Sequence, residues 1–578
     1  MPYYYKSTTV DILGELQRIK ATWYTSDFEL HQDVSKTVKR LGDGHANYYN
    51  YCYDSLFVTY LPFPLAVLGS STSDQTSDIT IVPEAYEVIS AEFGDQAIKI
   101  WESALNRSLS DFNGAKVTLI NGMDPWTVVD YYAAVTGNFQ AKSIRQNSFF
   151  SSYRLSKYRM GGFAQSAWPT REDSISLTLI RNGTATPETY QVPYLSRIGN
   201  ATTPFTDAQS LWDNNCRATR FTNGAGPSSD SDSKVIVVPP TNPESSKERG
   251  DHLKHPDVEP EIVDGIPLAV SALTLDGRQE DPALPSRLFP TGEVSAAGSM
   301  YWFVLNDGKT AVLRLPTLQV LRQGVLDGIT AVKSKGATRL LIDLTNNEGG
   351  TICLADWLHR VVCISFYSRS QSLTVTCYKL AGPQPGLDIQ PGFNGSVRAR
   401  DLPRKIVAKI VANSTQDISS WYNPRFLNDT QNKRFPANFN WLDSSIEMNV
   451  NGVQERFSQK IGDQCVPLAT TPPDTKPFEF ENIAIMSNGR CASACSLFSI
   501  LMHTKYNVTT VVVGGKPQTT QWYCGFVGGQ ALNYVTLDDE IKKFGLKNDA
   551  LSPPDFLTNS YLGALAYSSQ QRELTRAG

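Results

Sequence analysis

Two apolar runs, each breaking at asparagine and glycine and then resuming at helical spacing, constrain this chain most. Leu340-Leu-Ile-Asp-Leu gives way to Thr-Asn-Asn-Glu-Gly349-Gly350 and then to a helical period over 354–366. Ile483-Ala-Ile-Met gives way to Ser-Asn-Gly-Arg-Cys-Ala-Ser493-Ala-Cys and then to an amphipathic stretch over 494–503. Short apolar runs that alternate with helical periods form a sheet covered by helices, and strands that end at Asn and Gly present backbone amides at the carboxyl edge of that sheet. Two such strand ends can face one pocket. With further strands expected at 311–315 and 509–514 and a helix at 318–332, residues 300–578 read as an α/β core. A stretch rich in Gly, Pro, Asn and Trp interrupts it at about 368–476.

The preceding part reads differently. Residues 1–78 place Ile12, Leu13, Leu16 and Ile19, then Leu30, Val34, Val38 and Leu41, at helical spacing. From 79 to 221 the pattern is short β-type runs at 85–89, 116–122 and 174–183, with a helix expected from Trp126, an order that suits a small PDZ-like module. Residues 222–299 turn to Ser, Pro, Asp and Glu. That composition buries too little apolar surface to offset an ordering entropy of roughly 1–2 kcal/mol per residue, so a mobile linker is expected. Limited proteolysis is expected to nick it first and to leave two associated halves.

At 578 residues the chain exceeds a single core. Its 53 Lys and Arg balance 57 Asp and Glu, with no basic run interleaved with aromatics, so no nucleic-acid partner is expected. The longest apolar run, 56–69, carries Pro62 and Pro64 and falls short of the roughly 18 residues a membrane span needs. Acceptor Asn-X-Ser/Thr sites at Asn106, Asn182, Asn200, Asn394, Asn413, Asn428 and Asn507, together with nine cysteines, point to the secretory pathway or the extracellular space. The expectation is a leader absent from this chain; the alternative is a cytosolic protein with accidental acceptor sites.

Ser493 falls at a helix N-terminus, where free N–H groups and the positive dipole end stabilise developing negative charge. Taken alone, it reads first as a helix cap. Cys491 and Cys495 flank it, but no second pair completes a zinc site, so no metal is expected and disulfides to distant cysteines are. No phosphate loop or dinucleotide fingerprint is present, so no cofactor is expected.

Asp343-Leu-Thr-Asn-Asn347-Glu-Gly349-Gly350 resembles the Asp-Leu-Arg-x-Asn-x-Gly-Gly element of the tail-specific, or carboxy-terminal-processing, serine proteases. Cys-Ala-Ser493-Ala-Cys-Ser496 resembles their Ser-Ala-Ser-Ala-Ser-Glu element. The resemblance implies Ser493 as nucleophile, the amide of Ala494 and the Gly349-Gly350 pair as the oxyanion hole, and a crotonase-like ββα core. Those enzymes use a Ser-Lys dyad, and Lys516 lies nearby in a different context. Gly42-Asp-Gly-His45 instead resembles the histidine element of the branch that contains the chlamydial protease-like activity factor and its fungal homologues. That likeness implies His45 as general base, the role a side chain of pKa near 6.5 suits. The other histidines, His31 and His359 on helices, His252 and His255 in the linker and His503 at a helix end where it can cap carbonyls, read as surface or packing residues. The third, acidic member is left open, with Asp538, Asp539 and Glu540 as candidates.

The function expected from the resemblance is a serine-type endopeptidase acting through an acyl-enzyme on a peptide or protein. Some fungal relatives accompany ribosomally made toxins of the ustiloxin and phomopsin type, which makes a precursor peptide one expected substrate. The competing expectation is an inactive, protease-like binding scaffold, since Ser496 replaces the family glutamate and both ends of the chain look truncated.

Overall fold

The computed structural model describes residues 10–46, 48, 57–69, 77–154, 157–166, 172–198, 204–216, 282–318, 322–363, 395–413, 420–430, 433–443, 446–450, 452–461, 477–525, 531–532, 534–553, 567–568 and 571–572. The expected linker falls outside them from 222 to 281.

Two helices open the chain, α1 (Ile12–Ala21) and α2 (Asp27–Lys39), each begun by a side chain that accepts from the first turn, Asp11 from Gly14 N and Ser26 from Glu29 N. A two-pronged pair from Arg18 to Asp33 ties them together. The helical character stops there. Residues read as the end of the helical part instead form Phe57–Tyr60 and β1 (Leu65–Gly69), whose Val58, Tyr60 and Leu65 join the core of the next unit. That unit is an antiparallel five-stranded sheet, β1 followed by β2 (Ser77–Ile81), β3 (Lys116–Ile120), β4 (Ser174–Ile180) and β5 (Glu188–Pro193) in that spatial order. Its helices are α3 (Ala85–Glu92), α4 (Asp95–Leu105) and α5 (Pro125–Val135), the last begun by Asp124 and Pro125. Residues 85–89, expected as a strand, are thus helical. Ala85, Val88 and Ile89 are the buried positions, an i, i+3, i+4 spacing that fits one helix face and not one strand face.

The second unit is a six-stranded sheet in the order β6 (Glu293–Ala297), β7 (Met300–Val304), β8 (Thr310–Arg314), β9 (Arg339–Asp343), β10 (Ile483–Ser487) and β11 (Thr509–Val512). The first three strands are antiparallel and the last four run parallel, so β9 and β10 deliver their carboxyl ends side by side. Residues 293–297, placed by composition in the linker, form the sheet edge instead, because Glu293 and Ala297 pair with Phe303 and Met300. Helices α6 (Arg322–Ser334), α7 (Ile352–Cys363) and, after the interruption, α9 (Ala494–Tyr506) cover the sheet around Trp302, Ile342, Trp357 and Phe498. The interrupting stretch builds a small core of its own. Ile406, Val407 and Ile410 of α8 (Asp401–Ala412) pack there with Trp441, Leu442 and Ile541 of α10 (Tyr534–Lys543).

Candidate active site

The site starts from the β9 and β10 ends. After Asp343 the chain stays in register for one more bond, Leu344 N to Met486 O at 2.8 Å, and then both strands turn. Two asparagines lock the turns to each other: Asn346 N donates to Asn488 Oδ1, and Asn488 Nδ2 donates to Asn346 Oδ1. Ala492 N donates to Asn347 O at 3.0 Å, which brings the Ser493 segment against the Gly349 segment. All these groups are buried, so each bond is costly to break.

Ser493 itself has φ 53° and ψ −123°. With Cys495 N donating to Ala492 O at 3.0 Å, residues 492–495 make a type II′ turn whose second position normally takes glycine. A serine held there costs about 1–3 kcal/mol, and the return is a half-exposed hydroxyl at the first turn of α9. Strain of this kind gathers where a nucleophile must be presented. The side chain of Ser493 makes no cap bond, so the helix-cap reading fails on geometry.

The two glycines divide their work. Gly349 N donates to Asn347 Oδ1 at 2.8 Å, so its amide is already used and the sequence expectation for it as an oxyanion donor is corrected. Gly349 matters instead as the surface against which Ser493 rests, at φ 96°. Gly350 bridges Leu318 through its neighbours: Gly349 O accepts from Leu318 N, and Thr351 N donates to Leu318 O. Its own N–H carries no bond to the described residues, and neither does the N–H of Ala494.

His45 is 2% exposed, and its Nδ1 lies 3.1 Å from Asp43 Oδ1, which also accepts from the His45 backbone N at 2.9 Å. One carboxylate thereby fixes both the ring and the backbone that carries it. Asp43 is the residue that sequence reasoning misses, hidden inside the histidine motif two positions upstream. The candidates Asp538, Asp539 and Glu540 sit on α10 against the inserted core. Asp538 is held by Lys542 at 2.6 Å and by Lys547, Glu540 accepts from Ser420 Oγ at 2.5 Å, and burial raises the Asp539 carboxyl. These commitments correct the expectation that one of them orients the imidazole.

The two halves meet on one segment. A β-carbon on Gly42 would stand 3.2 Å from Phe139 O, and Phe139 and Ile144 pack against Ala492. The His45 loop and the Ser493 turn thus share Phe139 as a common support. Lys516 takes another role: its Nζ lies 2.9 Å from Asp130 Oδ2 on α5 and over the Trp126 ring. Burial works to raise the Asp130 carboxyl, but hydrogen bonds from Lys516, Lys142 and Gln146 outweigh it and hold the group at about 2.

The cysteines differ from expectation. Cys491 and Cys495 are bonded to each other and not to distant partners, because the turn at Ser493 folds their Cα atoms to 5.3 Å. Cys216 and Cys353 are also disulfide-bonded, and Cys524 is a free thiol. Among the described residues no group of His, Cys, Asp and Glu is arranged to hold a metal, and no helix is long and apolar enough to cross a membrane. Of the acceptor asparagines, Asn106, Asn182, Asn413 and Asn507 are exposed and Asn428 is half-buried, while Asn200 and Asn394 lie outside the described residues.

A strained serine at a helix start, beside the Ala494 and Gly350 amides that carry no bond to the described residues, is an arrangement that suits covalent acyl transfer. No family profile matches the chain. The peptidase S41 family protein ustP of Aspergillus flavus is 27% identical over 251 residues, 40% of this chain and 49% of that protein. The peptidase S41 family protein phomP1 of Diaporthe leptostromiformis is 23% identical over 99% of this chain and 77% of its own length. The chain thus spans about half the length of ustP. Among solved structures, mature CPAF complexed with lactacystin aligns with 99% of this chain and 86% of its own at 11% identity and a TM-score of 0.46. The photosystem II D1 C-terminal processing protease aligns with 86% and 72% at 9% identity and a TM-score of 0.20. By its sequence matches, the chain is similar to peptidase S41 family proteins of fungi, as the resemblance to the tail-specific proteases and their fungal branch implies.

Proposed function

We propose that the chain is a serine peptidase that cleaves peptide bonds through an acyl-enzyme on Ser493. The observation that carries this reading is the type II′ turn: it holds Ser493 at a positive φ beside the amides of Ala494 and Gly350, which carry no bond to the described residues. In the reaction, Ser493 Oγ attacks the scissile carbonyl carbon and its proton passes to His45 Nε2. Asp43 accepts from Nδ1 and stabilises the imidazolium. The carbonyl oxygen becomes an oxyanion between the N–H groups of Ala494 and Gly350. His45 then returns the proton to the leaving amine, and water, deprotonated by the same imidazole, releases the acid. On this reading the six-stranded unit is the crotonase-like core of the family and the five-stranded unit its PDZ-like module.

The substrate follows from the resemblance to the fungal branch: a peptide or protein in the secretory route, with a ribosomally made toxin precursor as the specific case. Exposed Asn106, Asn182, Asn413 and Asn507 support passage through that route. The test is labelling with a fluorophosphonate. The intact chain should be modified at Ser493 and Ser493→Ala should not be, and equal labelling of both would overturn the proposal. Mass spectrometry of candidate precursor peptides incubated with the protein then reads the substrate.

A further inference from the structure

The disulfide beside the nucleophile has a role that the reaction above leaves unused. Cys491 and Cys495 close a ring of five residues with Ser493 at its centre, and both are fully buried. Each end of the ring is anchored separately. The carbonyl of Cys491 accepts from Gly525 N at 2.7 Å and from Ser496 Oγ at 2.6 Å, while Cys495 is the second residue of α9. Between these anchors lies the one backbone position of the segment that its residue type disfavours, Ser493 at φ 53°. A turn held by one hydrogen bond opens readily, and opening would let serine return to a negative φ. A covalent bond across the same four residues removes that escape.

We propose that the Cys491–Cys495 disulfide is the positioning device of the nucleophile, locking Ser493 in the type II′ turn that presents its hydroxyl to the Ala494 and Gly350 amides. Both cysteines act through Ser493 and touch no reacting atom. The remaining thiol is poorly suited to disturb the bridge. Cys524 packs against the cluster that contains both bridged cysteines, and burial pushes its thiol up to about 12, so little thiolate forms at neutral pH to attack it.

This inference deepens the peptidase reading and rests on it for its effect on rate, but its structural content is read separately. The experiment compares the intact oxidised protein with C491A/C495A, which leaves the other disulfides in place. Two readouts are used: fluorophosphonate inactivation kinetics, and hydrogen exchange of the backbone amides of 492–497. The expected result is a maximal inactivation rate at least tenfold lower in the variant, with the half-saturating reagent concentration within twofold and exchange at 492–497 at least tenfold faster. Exchange that stays within twofold overturns the proposal, as does an unchanged maximal rate. If C491A/C495A does not fold, the native protein is reduced with a water-soluble phosphine. The phosphine becomes its oxide while the bridge gains two electrons and two protons, and peptide mapping establishes which bridge has opened. Reoxidation should then restore the rate. If even the oxidised protein is not labelled, the peptidase reading fails, and the exchange data still decide what the bridge does.

Discussion

Gly349 lies so close to Ser493 that a β-carbon on the glycine would stand 2.8 Å from the serine Cβ and 2.9 Å from the Ala494 nitrogen. It would also meet Ala492 O at 2.6 Å, from a backbone at φ 96° that side chains rarely adopt. All three neighbours are parts of the turn that carries Ser493. Gly349→Ala must therefore push that turn aside, and a displacement of under one ångström misaligns an attacking oxygen with its oxyanion donors. Fluorophosphonate labelling of Gly349→Ala should fall by about 10²-fold or more. A variant labelled at the native rate would show that the two loops are not packed as described.

His45 and Asp43 should separate by magnitude. Removing a general base costs about 10²–10⁴ in rate, so His45→Ala should lose that much in labelling and hydrolysis. Asp43→Asn keeps the size of the side chain and one carbonyl acceptor but removes the negative charge, which leaves Nδ1 without its carboxylate. Its loss should also exceed roughly tenfold, since an unoriented imidazole spends time in the wrong tautomer. The reverse order, with Asp43→Asn silent and Asp538→Asn severe in activity but not in stability, would return the acid to α10.

Much of this site is legible in the sequence because its signals are local. An apolar run ending in Asn and Gly announces a strand end within ten residues, and both ends, at Gly349 and Ser493, read that way. What escapes depends on geometry that spacing does not encode. Cys491 and Cys495 stand four apart, a separation compatible with one helix face, a turn or two unrelated bridges; only the positive φ at Ser493 brings their sulfurs together. Residues 85–89 carry apolar side chains at both two- and three-residue intervals, and packing of Val88 and Ile89 into the module core settles the helix. The use of the Gly349 amide by Asn347 is likewise a fact about a loop folding back on itself.

Glu348 clamps the loop that carries Gly349 and Gly350 to the first unit. Its carboxylate lies 2.9 Å from Arg154 and 3.6 Å from Arg159, on a hairpin whose Ser152 and Tyr153 also accept from Asn346 Nδ2. Arg159 is buried, so Glu348→Gln takes one carboxylate away from a guanidinium that has left water. The expected loss is about 1–3 kcal/mol in denaturant unfolding. An unchanged midpoint would mean that the hairpin and the loop are held by the asparagine bonds alone.

The pair between Lys516 and Asp130 gives a pH dependence whose sign follows from the carboxylate. In the folded protein Asp130 is held at about 2, below its ordinary value of 3.8, so the folded state binds that proton less readily than the unfolded chain does. The stabilisation is therefore fully present above about pH 4 and is lost as pH falls through about 2. Asp130 is partly exposed, which screens the interaction and keeps its contribution small. Asp130→Asn should lower Tm at pH 6 by roughly 2 °C, a gap that 0.5 M salt narrows. On acidification below pH 4 the two melting curves should converge, because the wild-type carboxyl becomes neutral like the amide. A gap that holds constant or widens between pH 4 and pH 2 would show that the amide in Asp130→Asn disturbs packing and that the charge contributes nothing.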